Sequence, residues 1–259
     1  MSLASRPAVF VFIPLALVLI WATFSIPPAS QPPAPLVPAG AMDLKLEDAT
    51  VEDIPGIVDV YLAAFTDRFT AHLFPDRTDL PRWLADDYKK DMTTNHLTRF
   101  YKVTDVSVGK IVAFAQWEIP DRQAVPAGTA IKAKGKKDWP EGANAEFCDW
   151  FFGTLAKKRR EIMGDTPFFL LRMMATLPEY QRHGIGSSLI RKGLQQANDQ
   201  DTVSYVEGSP AGTPLYAHFG WVAKDKVPVL DGTWMITCMV RDPQPLPAMP
   251  KSHQVKEMK

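Results

Sequence analysis

The sequence predicts an α/β domain built on one twisted, mixed sheet. Three observations carry that reading. Residues 43–242 alternate strand-like and helix-like patterns. Residues 168–175 are apolar except for Arg172, as in a central strand buried on both faces for most of its length. Finally, 46% of the 259 residues are apolar, which is enough for a substantial core.

The elements follow in order. Residues 43–49 alternate polar and apolar side chains, as in a half-buried strand. Thr50 with Asp53 gives an N-cap pattern, and Pro55 suits a first helical turn. The helix should run to about Phe65, with Ile54, Ile57, Val58, Tyr61 and Leu62 on one face. A second helix is expected over 80–92. Residues 97–106 and 110–118 read as paired strands joined near Gly109. Residues 121–142, rich in Pro, Gly and Lys, read as an inserted loop. A helix over 144–162 ends in Lys157-Lys158-Arg159-Arg160, cations that suit the helix dipole without any ligand. After the 168–175 strand come a helix at 184–198, a strand at 202–207 and a short helix at 214–219. Strands at 221–223 and 234–240 complete the sheet.

Both ends differ from this core. Residues 8–26 carry no charge and as a helix would match the thickness of a bilayer core. A proline-rich stretch follows as a semi-stiff spacer. Segment 1–41 is read as a signal anchor, or else as lying outside a working chain that starts at Met42. The first reading gives a single-pass membrane protein and membrane contact through residues 8–26; the second gives a cytoplasmic one. Residues 42–242 form the domain, and 243–259, polar and proline-rich, read as a disordered tail.

Charge excludes some functions. The 29 basic residues equal the 29 acidic ones, so no basic excess points to nucleic acid. Cys148 and Cys238 have neither metal-ligand spacing nor the numbers for a disulfide framework, and read as two thiols in or near the core. No cluster has metal-ligand spacing.

The chemistry concentrates where the 168–175 strand turns into the next helix, through Gln181-Arg182-His183-Gly184-Ile185-Gly186. A helix N-terminus leaves N–H groups free, and with the dipole these bind an anion. Gly184 and Gly186 clear space for close approach of a phosphate. Arg182 adds charge, and Ser187 and Ser188 add hydroxyl donors. A plain tight turn fits the same spacing. No Gly-Lys-Ser/Thr follows, so the turn is not a P-loop, and it lacks the third glycine of a dinucleotide fingerprint.

This segment resembles the acetyl-CoA signature of the GCN5-related N-acetyltransferase (GNAT) family, Gln/Arg-x-x-Gly-x-Gly/Ala, through Gln181, Gly184 and Gly186. Residues 177–180 match the usual approach to it. The stretch MDLKLEDATVEDIPGIVDVYLAAF is similar to the family's opening, and VEGSPAGTPLYAHFGWV to its fifth strand, tyrosine-bearing helix and Gly-aromatic turn. The likeness is to small-molecule-type members common in filamentous fungi. It implies a mostly antiparallel sheet that splays after the fourth strand, with the pantetheine arm of acetyl-CoA in the gap. The backbone of Met173, Met174 and Ala175 would hold that arm. The turn from Gln181 through Arg182, His183, Gly184, Ile185, Gly186 and Ser187 to Ser188 would take the diphosphate.

The resemblance also implies direct transfer of acetyl to an amine, with Tyr216 as the acid facing the leaving thiolate. Glu207 or Glu118 is the candidate base, Glu207 being favoured. His183 should face solvent or phosphate, and His218 the outer face of its helix. The acceptor pocket is expected from 65–74, Trp83, Trp117 and 121–145. The function this implies is acetylation of a primary amine on a small molecule, as in a metabolite-tailoring step of secondary metabolism. Acetylation of a protein lysine or N-terminus is an alternative. A non-catalytic acyl-CoA-binding domain tethered to a membrane is another.

Overall fold

A computed structural model describes residues 42–121, 139–248 and 255–257. The predicted first element is present as β1 (Leu44–Asp48). Thr50 and Asp53 form the anticipated capping box: the Thr50 backbone N–H donates to Asp53 Oδ2 at 2.8 Å. This box opens a short 3-10 turn, Val51–Asp53, and then α1 (Ile54–Ala64), with Pro55 in its first turn. A six-residue helix that periodicity did not reveal, α2 (Arg68–Leu73), is capped by Asp67, which accepts from the Thr70 N–H. α3 (Leu80–Thr94), β2 (Thr98–Asp105) and β3 (Lys110–Glu118) follow as read.

α4 (Ala145–Met163) is capped by Asn144 and leads to β4 (Phe169–Thr176). A 3-10 turn, Pro178–Tyr180, then precedes α5 (Ile185–Asp199). The chain closes through β5 (Ser204–Gly208), α6 (Thr213–His218), β6 (Val222–Val229), β7 (Trp234–Arg241) and the two-residue β8 (Lys256–Glu257).

These strands make one mixed sheet in the order β6-β7-β5-β4-β3-β2-β1-β8. Among the described residues, only β4–β5 and β1–β8 pair in parallel. On one face, Tyr88 of α3 packs edge-on against Phe114 of β3, and Asp91 accepts from the Gln116 amide at 2.8 Å. On the other face α5 comes so close that a Cβ on Gly193 would lie 2.2 Å from the Trp117 ring. The glycine inside that helix is therefore a packing requirement, which outweighs its poor helix propensity.

Two expectations are corrected. The strand expected at 221–223 is β6, which runs to Val229 and lies at the sheet edge. Its charges and Pro228 are tolerated there, because one side of an edge strand needs no ladder partner. The segment after Asp242, read as disordered, is held where it is described. The Asn198 amide donates to the Gln244 carbonyl at 2.9 Å, the Arg191 guanidinium donates to the Pro247 carbonyl, and β8 pairs with β1.

Candidate active site

The sheet opens between β4 and β5. Phe169, Leu170 and Leu171 pair with Ser204, Tyr205 and Val206, and beyond them β4 pairs only with β3. This is the splay that the resemblance implies. One detail escaped the sequence: β4 bulges, since Gln116 pairs with Met173 but Trp117 pairs with Leu171. The extra residue is Arg172. A bulge bends its strand and re-aims a side chain, and here Arg172 lines the gap.

On the far side of the gap lies the Gln181–Gly186 turn. It is fastened by the Tyr180 hydroxyl, which donates to Asp105 at 3.0 Å, and by the Leu177 N–H, which donates to the Val112 carbonyl. Burial and the Asp105 carboxylate push the Tyr180 phenol up to about 12. Arg182 has φ +68° and Gly184 φ +77°. A non-glycine in the left-handed region costs on the order of 1 kcal/mol or more and is a recurrent feature of functional turns. The first intrahelical bond of α5 runs from the Ser188 N–H to the Gly184 carbonyl, so the N–H groups of Ile185, Gly186 and Ser187 precede the helical ladder.

These groups line a cavity of about 720 Å³. Gln181, Arg182, Gly184, Ile185, Gly186 and Ser187 line it together with Met174, Ala175 and Tyr216. A phosphate-bearing ligand with a long apolar arm fits this shape, with the anion at the helix N-terminus and the arm along the open edge of β4.

A second cavity of about 530 Å³ lies on the α1–α4 side. The two share Ala64, Phe65, Met174, Ser209, Ala211 and Tyr216. Tyr216 stands at the junction because two glycines leave it room. A Cβ on Gly208 would lie 3.0 Å from its ring, and one on Gly212 2.9 Å from its ring and 3.2 Å from its hydroxyl oxygen. Its ring packs edge-on against Trp221. Burial raises the phenol to about 12, so it holds its proton at neutral pH.

The two candidate bases differ in place. Glu207 lines the second cavity. Arg159 of α4 holds it with Nε–Oε1 3.0 Å, Nη2–Oε1 2.7 Å and Nη2–Oε2 2.9 Å. Burial raises the Glu207 pKa and Arg159 pulls it back, leaving a net upward shift. Arg159, read in the sequence as a dipole-facing cation, is therefore an internal partner. Glu118 lies off the cavity wall, 3.5 Å from Arg172 Nη1, and burial raises its pKa too.

Other expectations change. The Ser188 hydroxyl is buried and donates back to the Gly184 carbonyl at 3.3 Å, so it is not turned to the anion site. His183 lies off both cavity walls, with Nδ1 buried and without a hydrogen-bond partner. His218, expected on the outer face, is exposed at the wall of the first cavity. Met173 faces the second cavity rather than the first. Trp117 is core, sealed against Gly193 and Trp221. Arg191, which sequence spacing did not single out, lines the first cavity with its guanidinium 5.9 Å from the Phe219 ring centroid. Most of the 121–145 insertion lies outside the described residues.

Among the described residues no His/Cys/Asp/Glu group could hold a metal. No described helix is long and apolar enough to cross a membrane, and residues 8–26 lie outside that set. Both cysteines are free and buried.

A splayed sheet, a strand-to-helix anion turn and a tyrosine between two cavities give the chain a GNAT-like fold. Comparison with known proteins agrees. Residues 156–240, from the second half of α4 through β7, match the model of the acetyltransferase (GNAT) domain family. Over those residues the chain is similar to that family. Solved structures share the fold. The C-terminal condensation domain of Ebony, in complex with beta-alanyl-dopamine, has a TM-score of 0.57 at 14% identity, covering 78% of this chain and 99% of that one. A mosquito arylalkylamine N-acetyltransferase like 5b has a TM-score of 0.56 at 12% identity, covering 77% and 99%. A histone acetyltransferase HPA2 and related acetyltransferase from Corynebacterium glutamicum has a TM-score of 0.51 at 22% identity, covering 81% and 99%. The family uses acetyl-CoA as co-substrate, and the first cavity suits it.

Proposed function

We propose that the protein transfers acetyl from acetyl-CoA to the primary amine of a small molecule. The observation that carries this reading is the shared wall of the two cavities at Phe65, Met174 and Tyr216. A thioester arriving along β4 would meet an amine held in the second cavity at that opening. Holding the two together supplies most of the rate, since it removes the entropy of encounter.

In this reading the amine nitrogen forms a bond to the acetyl carbon and the carbon–sulfur bond breaks. The nitrogen gives up a proton to Glu207, directly or through water, and Tyr216 donates its proton to the leaving sulfur. A carboxylate raised above its ordinary range is better matched to that work at neutral pH. The backbone of Met174 and Ala175, on the open edge of β4, would steady the arm of the co-substrate. The N–H groups of Ile185, Gly186 and Ser187 would take its diphosphate, with Arg182 adding charge.

The test is amine-dependent release of CoA thiol by the full chain, with small primary amines and lysine-bearing peptides in parallel. The proposal expects release with small amines and an N-acetylated product by mass spectrometry. Release with peptides alone would move the acceptor to proteins. Acetyl-CoA binding without release for any acceptor would make the chain a binding domain.

A further inference from the structure

We infer that the acceptor is an aromatic primary amine bearing no negative charge. This rests on the proposed small-amine acetylation and names the substrate class for that site. The second cavity is walled by rings. Phe69 of α2 stacks on Trp234 of β7, with centroids 5.8 Å apart and planes 12° apart, and meets Phe151 edge-on at 4.9 Å. The rings continue through Phe152, 5.0 Å from Phe151, to Trp139, which stacks on Phe152 at 5.0 Å and packs against Trp83. The Trp139 indole N–H is committed to Asp149 at 2.7 Å, so its ring is what remains for contact. A ligand ring would gain both apolar burial and edge or face contacts here.

The charges in the wall set the second condition. Its two arginines are each engaged by carboxylates: Arg159 by Glu207, and Arg172 by Glu118 at 3.5 Å and Asp91 at 3.9 Å. A carboxylated or phosphorylated acceptor would meet guanidinium charge that these carboxylates already offset. The wall carries three carboxylates, Asp67, Asp87 and Glu207, against two guanidiniums, Arg159 and Arg172, a formal excess of one negative charge that favours an ammonium. A volume of about 530 Å³ is within the range of small-ligand sites and holds one ring system with a short aminoalkyl chain.

The experiment measures kcat/KM of the full chain for 2-phenylethylamine and tryptamine against spermidine, glutamate and a lysine peptide at saturating acetyl-CoA. The aromatic amines should exceed the others by about 10- to 100-fold, the range expected from burying a ring. Phe69→Ala should remove most of that preference and leave the acetyl-CoA KM within about twofold. Phe69→Leu, which keeps bulk, gives the same reading if the alanine variant fails to fold. Equal or better use of spermidine, glutamate or the peptide overturns the inference while small-amine or protein acetylation stands. Retention of the full preference by either folded variant also overturns it. Absence of CoA release with every acceptor overturns the proposed function itself, and this inference with it.

Discussion

Arg159 binds both carboxylate oxygens of Glu207 inside the wall of the second cavity, at 2.7 and 2.9 Å from one guanidinium nitrogen. The two side chains are 14% and 12% exposed, so each is nearly withdrawn from water. Removing one partner leaves the other charge buried and unpaired. Arg159→Met should therefore destabilise the fold by about 3–5 kcal/mol, measured by urea denaturation. Arg159→Lys should recover only part of that, because an ammonium cannot match the fork.

The same pair gives a pH signature. Burial holds the Glu207 carboxyl above its ordinary 4.5 despite Arg159. A carboxyl raised in the folded state stabilises the fold fully below its unfolded value, and that contribution is lost as pH rises through the raised value. The stability of the wild type relative to Glu207→Gln should therefore fall as pH climbs from about 4.5 through the raised folded value. A flat difference across that window contradicts the shift.

Tyr216 is the residue proposed to donate to sulfur. Tyr216→Phe should lower kcat by about 100-fold or more, the usual scale for losing a positioned proton donor, with acetyl-CoA affinity nearly unchanged. Gly212→Ala offers a second route, since its Cβ would fall 2.9 Å from the Tyr216 ring and displace it. Strongly lowered turnover with acetyl-CoA binding retained is the expected outcome for both, read by thiol release and calorimetry.

The anion turn separates three neighbours. A Cβ on Gly186 would lie 3.4 Å from Leu215 Cδ2 and 3.7 Å from Met174 Cε, so Gly186→Ala should fold and bind. Gly186→Glu should abolish CoA binding by bulk and charge. Ser188→Ala should bind CoA within about twofold of wild type, because that hydroxyl is spent on Gly184. Arg191→Met should weaken CoA binding by about 10-fold, the value of one charge-assisted contact, with kcat retained.

Much of this was legible where one local rule decides the outcome. β3 was read with its observed limits, and the Thr50–Asp53 cap and the strand–turn–helix around Gly184 were read in place, because periodicity and capping are local. α2 was missed because six residues are too few to show a period. The 221–223 reading stops short of the end of β6 because the polar face and Pro228 carry no strand signal, and only the edge position makes them compatible with a strand. Glu207 and Tyr216 were named through the family resemblance, whereas the Arg159 grip and the Arg172 bulge depend on contacts between distant segments. Ser188 and His183 follow the same logic in reverse. Their positions suit an anion site, but the rotation of the helix turns one hydroxyl inward, and packing buries the ring nitrogen of the other.

The most direct test is a crystal structure of the protein with CoA bound. The diphosphate should lie on the N–H groups of Ile185, Gly186 and Ser187, the arm along Met174 and Ala175 between β4 and β5, and the sulfur should face the Tyr216 hydroxyl. A diphosphate bound elsewhere, or a sulfur that never reaches the opening shared by the two cavities, would contradict this arrangement.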